Sequence, residues 1–140
     1  MGRTLKKSSS RPVVLDTSAL LYWTLLPGSL SGPARAAIET ASEGLGCFVS
    51  AISLWEIALK AKRGQLTLGM PIDAYVERLS RLRGLEIVPV DTRTWIRNVE
   101  LPWKHKDPAD RTIVATAEIT GSALVTNDRA IRAYFEHVIW

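Results

Sequence analysis

Apolar residues fall along this chain in short runs separated by longer stretches of helical spacing. Pro12-Val13-Val14-Leu15 is a β-rich run ending in Asp-Thr-Ser, and residues 19–23 then read as helix up to the break at Pro27-Gly28. Residues 33–41 look helical, with Pro33 in the first turn and Gly44 and Gly46 beyond the end. Cys47-Phe48-Val49 is a second strand. Ser53 is placed to cap a helix over residues 54–63 that stops at Gly64, and another helix spans residues 72–83 before Gly84. Residues 86–90 form a third strand, shortened by Pro89, which removes a ladder donor. A helix over residues 92–99 and a loop over residues 101–106 follow. Asp107 and Pro108 then open a strongly apolar helix that closes at Gly121. Residues 123–126 are a fourth strand, residues 129–135 a last helix, and Val138-Ile139-Trp140 an apolar ending. Parallel strands need crossovers, and crossovers place helices on both faces of a sheet. The alternation therefore predicts an α/β/α sandwich around a mainly parallel sheet.

At 140 residues with 46% hydrophobic content, the chain suits one domain over residues 13–140. Arg3, Lys6, Lys7 and Arg11 lie in an acid-free leader, and beyond it the remaining 14 basic residues balance the 14 acidic ones. The net charge of +4 thus belongs to residues 1–12, read as a basic flexible arm, and says little about the body. Asp16 interrupts the apolar stretch that a signal peptide would need, and no window approaches the ~18 apolar residues of a membrane span. Cys47 is a lone cysteine with no disulfide partner. Together these features point to a reduced, cytoplasmic protein with no membrane contact.

The carboxylates carry the candidate chemistry. In an open parallel sheet, ligands bind beyond the carboxyl ends of the strands. Asp16 follows the first strand, Asp128 follows the fourth, Asp110 lies in the first turn of its helix and Glu56 one turn into another. Each has an ordinary alternative. Asp16 and Asp128 could cap helices, Asp110 could favour a helix dipole, and Glu56 could pair with Lys60 on a polar stripe shared with Ser53 and Arg63. As a set they would repel one another unless a cation neutralised them. Without a Cys/His cluster, the oxygen donors select Mg²⁺ or Mn²⁺, which in acidic nuclease sites polarise a phosphodiester and lower the pKa of a bound water.

The residues resemble the PIN-domain ribonucleases, and among them the VapC-type toxins of toxin-antitoxin pairs. Leu15-Asp16-Thr17-Ser18-Ala19-Leu20-Leu21 is similar to that family's opening segment, Ser50-Ala51-Ile52-Ser53-Leu54-Trp55-Glu56-Ile57-Ala58 to its second, His105-Lys106-Asp107-Pro108-Ala109-Asp110-Arg111 to its third, and Leu124-Val125-Thr126-Asn127-Asp128 to its fourth. The resemblance implies a PIN-like fold with four to five strands and Mg²⁺- or Mn²⁺-dependent hydrolysis of RNA to 5′-phosphate and 3′-hydroxyl products. It makes Asp16, Glu56, Asp110 and Asp128 the metal ligands. Thr126 and Thr17 or Ser18 become supporting hydroxyls, and Asp107 either an N-cap or a fifth acid. It also implies a homodimer and a small antitoxin whose tail enters the acidic cleft.

Lys60, Arg63, Lys104, Lys106, Arg111 and Arg129 lie near these segments, where they could meet phosphates or simply be solvated. His105 could orient substrate or be an ordinary exposed loop residue. Trp55 suits a core or dimer contact, whereas Trp103 could stack on an unpaired base. Two rival functions are a non-catalytic RNA-binding or assembly module on the same fold and a phosphatase using Asp16 as an acyl-phosphate nucleophile. Against the latter, Ser18 stands where haloacid-dehalogenase-like phosphatases have a second aspartate.

Overall fold

The computed structural model describes residues 11–140. All of the leader expected over residues 1–12 except Arg11 and Pro12 lies outside the described residues. In chain order the elements are β1 (Val13–Leu15), α1 (Thr17–Leu25), α2 (Gly32–Thr40), β2 (Cys47–Ser50), α3 (Ala51–Lys62), α4 (Ile72–Ser80), β3 (Leu85–Val88), α5 (Thr92–Glu100), α6 (Pro108–Thr120), β4 (Ala123–Val125), α7 (Arg129–Tyr134) and β5 (Val138–Ile139). The strands form one sheet in the order β3-β2-β1-β4-β5, and every pairing is parallel.

Successive strand residues face opposite layers. Val13 and Leu15 of β1, with Cys47 and Val49 of β2, pack against Leu20 of α1, Ile38 of α2, Ile57 of α3, and Tyr75 and Leu79 of α4. Val14 and Leu124 point the other way, onto Ile113, Val114 and Ala117 of α6 and Ile131 of α7. The result is the α/β/α sandwich that the alternation predicts. The apolar ending is itself an edge strand, β5, paired with β4 through Leu124 to Val138 and Val125 to Ile139.

Several element ends differ from the sequence reading. α3 starts three residues earlier than Ser53 would dictate, because the side chain of Ser50 accepts from the amide of Ile52 and caps the helix instead. Ser53 is thereby turned inward and fully buried, so it does not belong to the exposed polar stripe of Glu56 and Lys60. α4 ends at Ser80 rather than near residue 83, and a turn of π-helix over Ala41–Leu45 extends α2 toward β2.

Gly84, which leads into β3, has φ +83°, and a Cβ there would lie 2.0 Å from the carbonyl oxygen of Ser42. Both the left-handed conformation and the close approach demand glycine. Gly84→Ala is expected to lower stability in urea unfolding by about 3 kcal/mol through strain and overpacking. A loss under about 0.5 kcal/mol would mean that the segment around Ser42 yields freely.

Candidate metal centre

From β1 the chain builds outward through β2 to β3, then returns to the other side of β1 to form β4 and β5. The order therefore reverses between β1 and β4, and the crevice beyond their carboxyl ends is where such sheets bind ligands. Asp16 follows β1 and Asp128 closely follows β4. A cavity of about 390 Å³ opens at this point, lined by Asp16, Thr17, Ser18, Tyr22, Glu56, Lys60, Asp107, Asp110, Asn127, Asp128 and Trp140. The four carboxylates expected to converge thus share one cleft, and Asp107 joins them.

Asp16 is the deepest, at 6% exposure. Its Oδ1 accepts from the amide of Ala19 at 2.7 Å, capping α1, while Oδ2 accepts from the Thr126 hydroxyl. The hydroxyl of Thr126 in turn accepts from the amide of Asp128 at 3.0 Å, so one threonine joins the turns after β1 and β4. Burial pushes the Asp16 carboxyl up to about 6, opposed by the Thr126 and Ala19 hydrogen bonds and reinforced by the charges of Asp110 and Asp128. Asp110 is also raised, mainly by burial, with its bond to His105 opposing and the charges of Asp107 and Asp128 adding to the rise. The cleft holds more negative charge than its environment favours.

Glu56 reaches the cleft from α3. Its Oε1 accepts from the Thr17 hydroxyl at 2.6 Å, and its Oε2 lies 3.4 Å from the ammonium of Lys60. Thr17 and Ser53 lie 2.9 Å apart. The single proton of Thr17 is thus shared between Glu56 and the buried hydroxyl of Ser53 as acceptors, with the shorter contact to Glu56. Asp128 caps α7 through the amide of Ile131 at 3.0 Å, and Asp107 caps α6 through that of Asp110 at 3.0 Å. Capping and facing the cleft are compatible for these residues, because a carboxylate offers two oxygens and a cap engages one of them.

Among the described residues, no three of the Asp, Glu, His or Cys side chains already stand in a coordinating arrangement. Each carboxylate rests on a local partner instead. The donor chemistry nonetheless suits a hard divalent cation, since the acids and hydroxyls facing the cleft are all oxygen ligands and, among the described residues, Asp16 forms no ion pair, the cleft's Lys60 being paired with Glu56.

Residues expected to meet RNA divide in two. Lys60 lines the cleft, and Arg63, Lys104, Lys106 and Arg129 are exposed without an ion pair among the described residues. Arg111 is different. All its N–H groups face backbone carbonyls: Nε that of Asn98, Nη1 those of Trp103 and His105, and Nη2 those of Val99 and Leu101. A guanidinium so engaged closes the end of α5 and ties down the following loop, leaving no donor free for a phosphate. Trp103 also has partners within the chain, stacking on Tyr134 and packing against His105, each at 4.7 Å between ring centroids. Tyr134 thereby takes up one face of the Trp103 ring that could have stacked on a base. Trp55 is exposed rather than in the core.

Tyr22, Asn127 and Trp140 line the cleft without having been singled out from sequence, and Ser53 supports it from within. Trp140 follows β5, so the strand-end rule that selects Asp16 and Asp128 would have placed it here had the apolar ending been read as a strand.

The PIN domain family's sequence profile matches residues 13–136. The chain belongs to the PIN-domain family. Ribonuclease VapC22 of Mycobacterium tuberculosis is 37% identical to this PIN domain over 124 residues, covering 87% of this chain and 91% of that protein. Solved structures share the fold. A toxin-antitoxin complex from Klebsiella pneumoniae aligns with TM-score 0.61 and 21% identity over 91% of this chain and 96% of its own. VapBC2 from Rickettsia felis, bound to a DNA fragment from its promoter, aligns with TM-score 0.63 and 16% identity over 87% and 92%. None of the described helices of the PIN domain is long and apolar enough to cross a membrane.

Proposed function

We propose that this PIN domain is an endoribonuclease of the VapC type, the toxin of a toxin-antitoxin pair, hydrolysing RNA with Mg²⁺ or Mn²⁺ held by Asp16, Glu56, Asp110 and Asp128. The observation that carries the reading is the shared cleft at the β1/β4 reversal, where acids from four separate segments face one another around a carboxylate too deeply buried to ionise at its usual pH. The 37% identity to a ribonuclease across most of both chains supports the same activity.

Each residue has a task. Asp16, fixed by Ala19 and Thr126, and Asp128, tied to the same threonine, present oxygens from the sheet edge. Glu56 and Asp110 enter from the helices on the two faces, Thr17 and Ser18 bring hydroxyls to the cleft, and the hydroxyl of Thr126 steadies Asp16. Asp107 acts first as the cap of α6. A divalent cation in such a site supplies Lewis-acid activation of a phosphodiester and of the attacking water. Lys60, Arg63, Lys104, Lys106 and Arg129 are the cations through which RNA phosphates are met; Arg111, with its donors taken, is left out. The partners are an antitoxin that covers the acidic cleft and a second copy of the chain, and the setting is the cytoplasm. The toxin-antitoxin complexes among the structural relatives motivate the first partner.

The test is cleavage of single-stranded RNA by the purified chain in Mg²⁺ or Mn²⁺ and in excess EDTA. Cutting is expected with metal, to stop in chelator, and to return when metal is restored. Equal cutting in chelator would remove the metal-dependent reading.

A further inference from the structure

Asp110 is the cleft acid whose carboxylate is bonded to an aromatic ring. His105 Nε2 lies 2.7 Å from Asp110 Oδ2, and since an ionised carboxylate only accepts, Nε2 carries the proton. The ring is held on two further sides. It packs on Trp103 at 4.7 Å between centroids and an interplanar angle of 33°, and Trp103 stacks at 4.7 Å and 9° on Tyr134. Behind it, Nη1 of Arg111 grips the carbonyls of both Trp103 and His105. Tyr134 belongs to α7, whose N-cap is Asp128. A continuous set of contacts therefore runs from α7 through Tyr134, Trp103 and His105 to Asp110, joining two of the cleft acids by a route outside the cleft.

We infer that His105 is a positioning residue for the metal centre: its Nε2 hydrogen bond occupies one oxygen of Asp110 and sets the direction of the other, and the stack on Trp103 and Tyr134 keeps that direction in register with Asp128. The inference rests on the cation site proposed above. A ligating carboxylate free to rotate loses entropy on binding and samples unproductive directions. Outer partners that remove this freedom typically contribute about 10- to 100-fold in metal affinity. The hydrogen bond supplies the direction, and the stack's part is to hold the donor where it can reach Asp110. His105 so placed touches neither substrate nor cation.

Two substitutions separate the contributions. His105→Phe keeps an aromatic ring against Trp103 and deletes the donor, whereas His105→Gln gives up the stack and places an amide nitrogen near the position of Nε2. Mn²⁺ binding by isothermal titration calorimetry, with a thermal melt of each metal-free protein, reads the outcome without reference to RNA cleavage. The Phe variant is expected to bind Mn²⁺ about tenfold more weakly than wild type at an unchanged melting temperature, and the Gln variant to come within about threefold of wild type. Phe binding within twofold of wild type would overturn the positioning role, as would Gln binding as weakly as Phe. Should the Phe variant fail to fold, the Gln variant decides alone: retained affinity supports the role and lost affinity overturns it. Wild type that takes up no Mn²⁺ would instead overturn the cation site, and the role of His105 with it, which separates the two failures.

Discussion

Asp16→Asn is expected to abolish RNA cleavage and at the same time to make the metal-free protein more stable. The two effects have one cause. At neutral pH the Asp16 carboxylate is ionised in a buried position facing Asp110 and Asp128, and its carboxyl lies at about 6 instead of the ordinary 3.8. That difference, about two pH units, corresponds to about 3 kcal/mol by which the ionised form opposes folding. Asparagine has nearly the same shape, keeps an oxygen for the amide of Ala19 and carries no charge. The Thr126 hydroxyl loses its acceptor, at about 1 kcal/mol, so about 2 kcal/mol of stabilisation remains. That is a melting temperature raised on the order of 5 °C in EDTA. A group whose folded-state pKa is raised contributes its stability below the unfolded value and loses it as pH rises through the folded value. The gap between variant and wild type should thus be small near pH 4, widen between about pH 4 and about pH 6, and stay constant above that. Cleavage should fall by about a thousandfold or more, since the deepest ligand loses its charge and one of its two oxygens. A variant that melts below wild type in EDTA at pH 7, or that cuts RNA at more than about a tenth of the wild-type rate, would contradict the account of Asp16.

Arg111→Met should damage the fold more than any other single change among the basic residues near the cleft. The five carbonyls gripped by the guanidinium close the last turn of α5 and the loop leading to α6. Charge-assisted hydrogen bonds of this kind contribute about 1.5–3 kcal/mol each when partly buried, and some of the freed carbonyls will find water, so a net loss of about 3 kcal/mol is expected. The melting temperature should drop on the order of 10 °C. Arg111→Lys should rescue little of it, because three donors on one nitrogen cannot span a planar fork. A fall under about 2 °C for the Met variant would show that the carbonyls are satisfied equally well by solvent. If Arg111 instead served RNA phosphates, stability would be unmoved and only the salt dependence of RNA binding would change.

The contrast between Asp16 and Arg111 shows what is legible in the sequence. The central strands announce themselves because buried parallel strands are short unbroken apolar runs, and Val13-Val14-Leu15 and Ala123-Leu124-Val125 are such runs. Strand ends then locate Asp16 and Asp128, since topology alone brings strand-to-helix turns together. Nothing comparable reveals the direction in which a long side chain points. Arg111 stands beside Asp110 in sequence, yet the two residues lie about 100° apart around α6, one toward the cleft and the other toward the end of α5. Ser50 and Ser53 both suit a helix cap by residue type, and the choice depends on where β2 ends. The two-residue β5 is too short to show alternation, so Trp140 and its place at the cleft stayed hidden. Stacks such as Trp103 on Tyr134 join residues 31 positions apart, at a distance in sequence where no pattern is available.

The central claim is that acids from four segments of the chain bind one class of divalent cation at the β1/β4 crevice, and crystals grown in Mn²⁺ test it most directly. Anomalous diffraction from manganese should place a peak in the cleft within coordinating distance of Asp16 and of at least one of Glu56, Asp110 and Asp128. A well-ordered crystal with no anomalous peak there, or with manganese bound only elsewhere on the molecule, would contradict it.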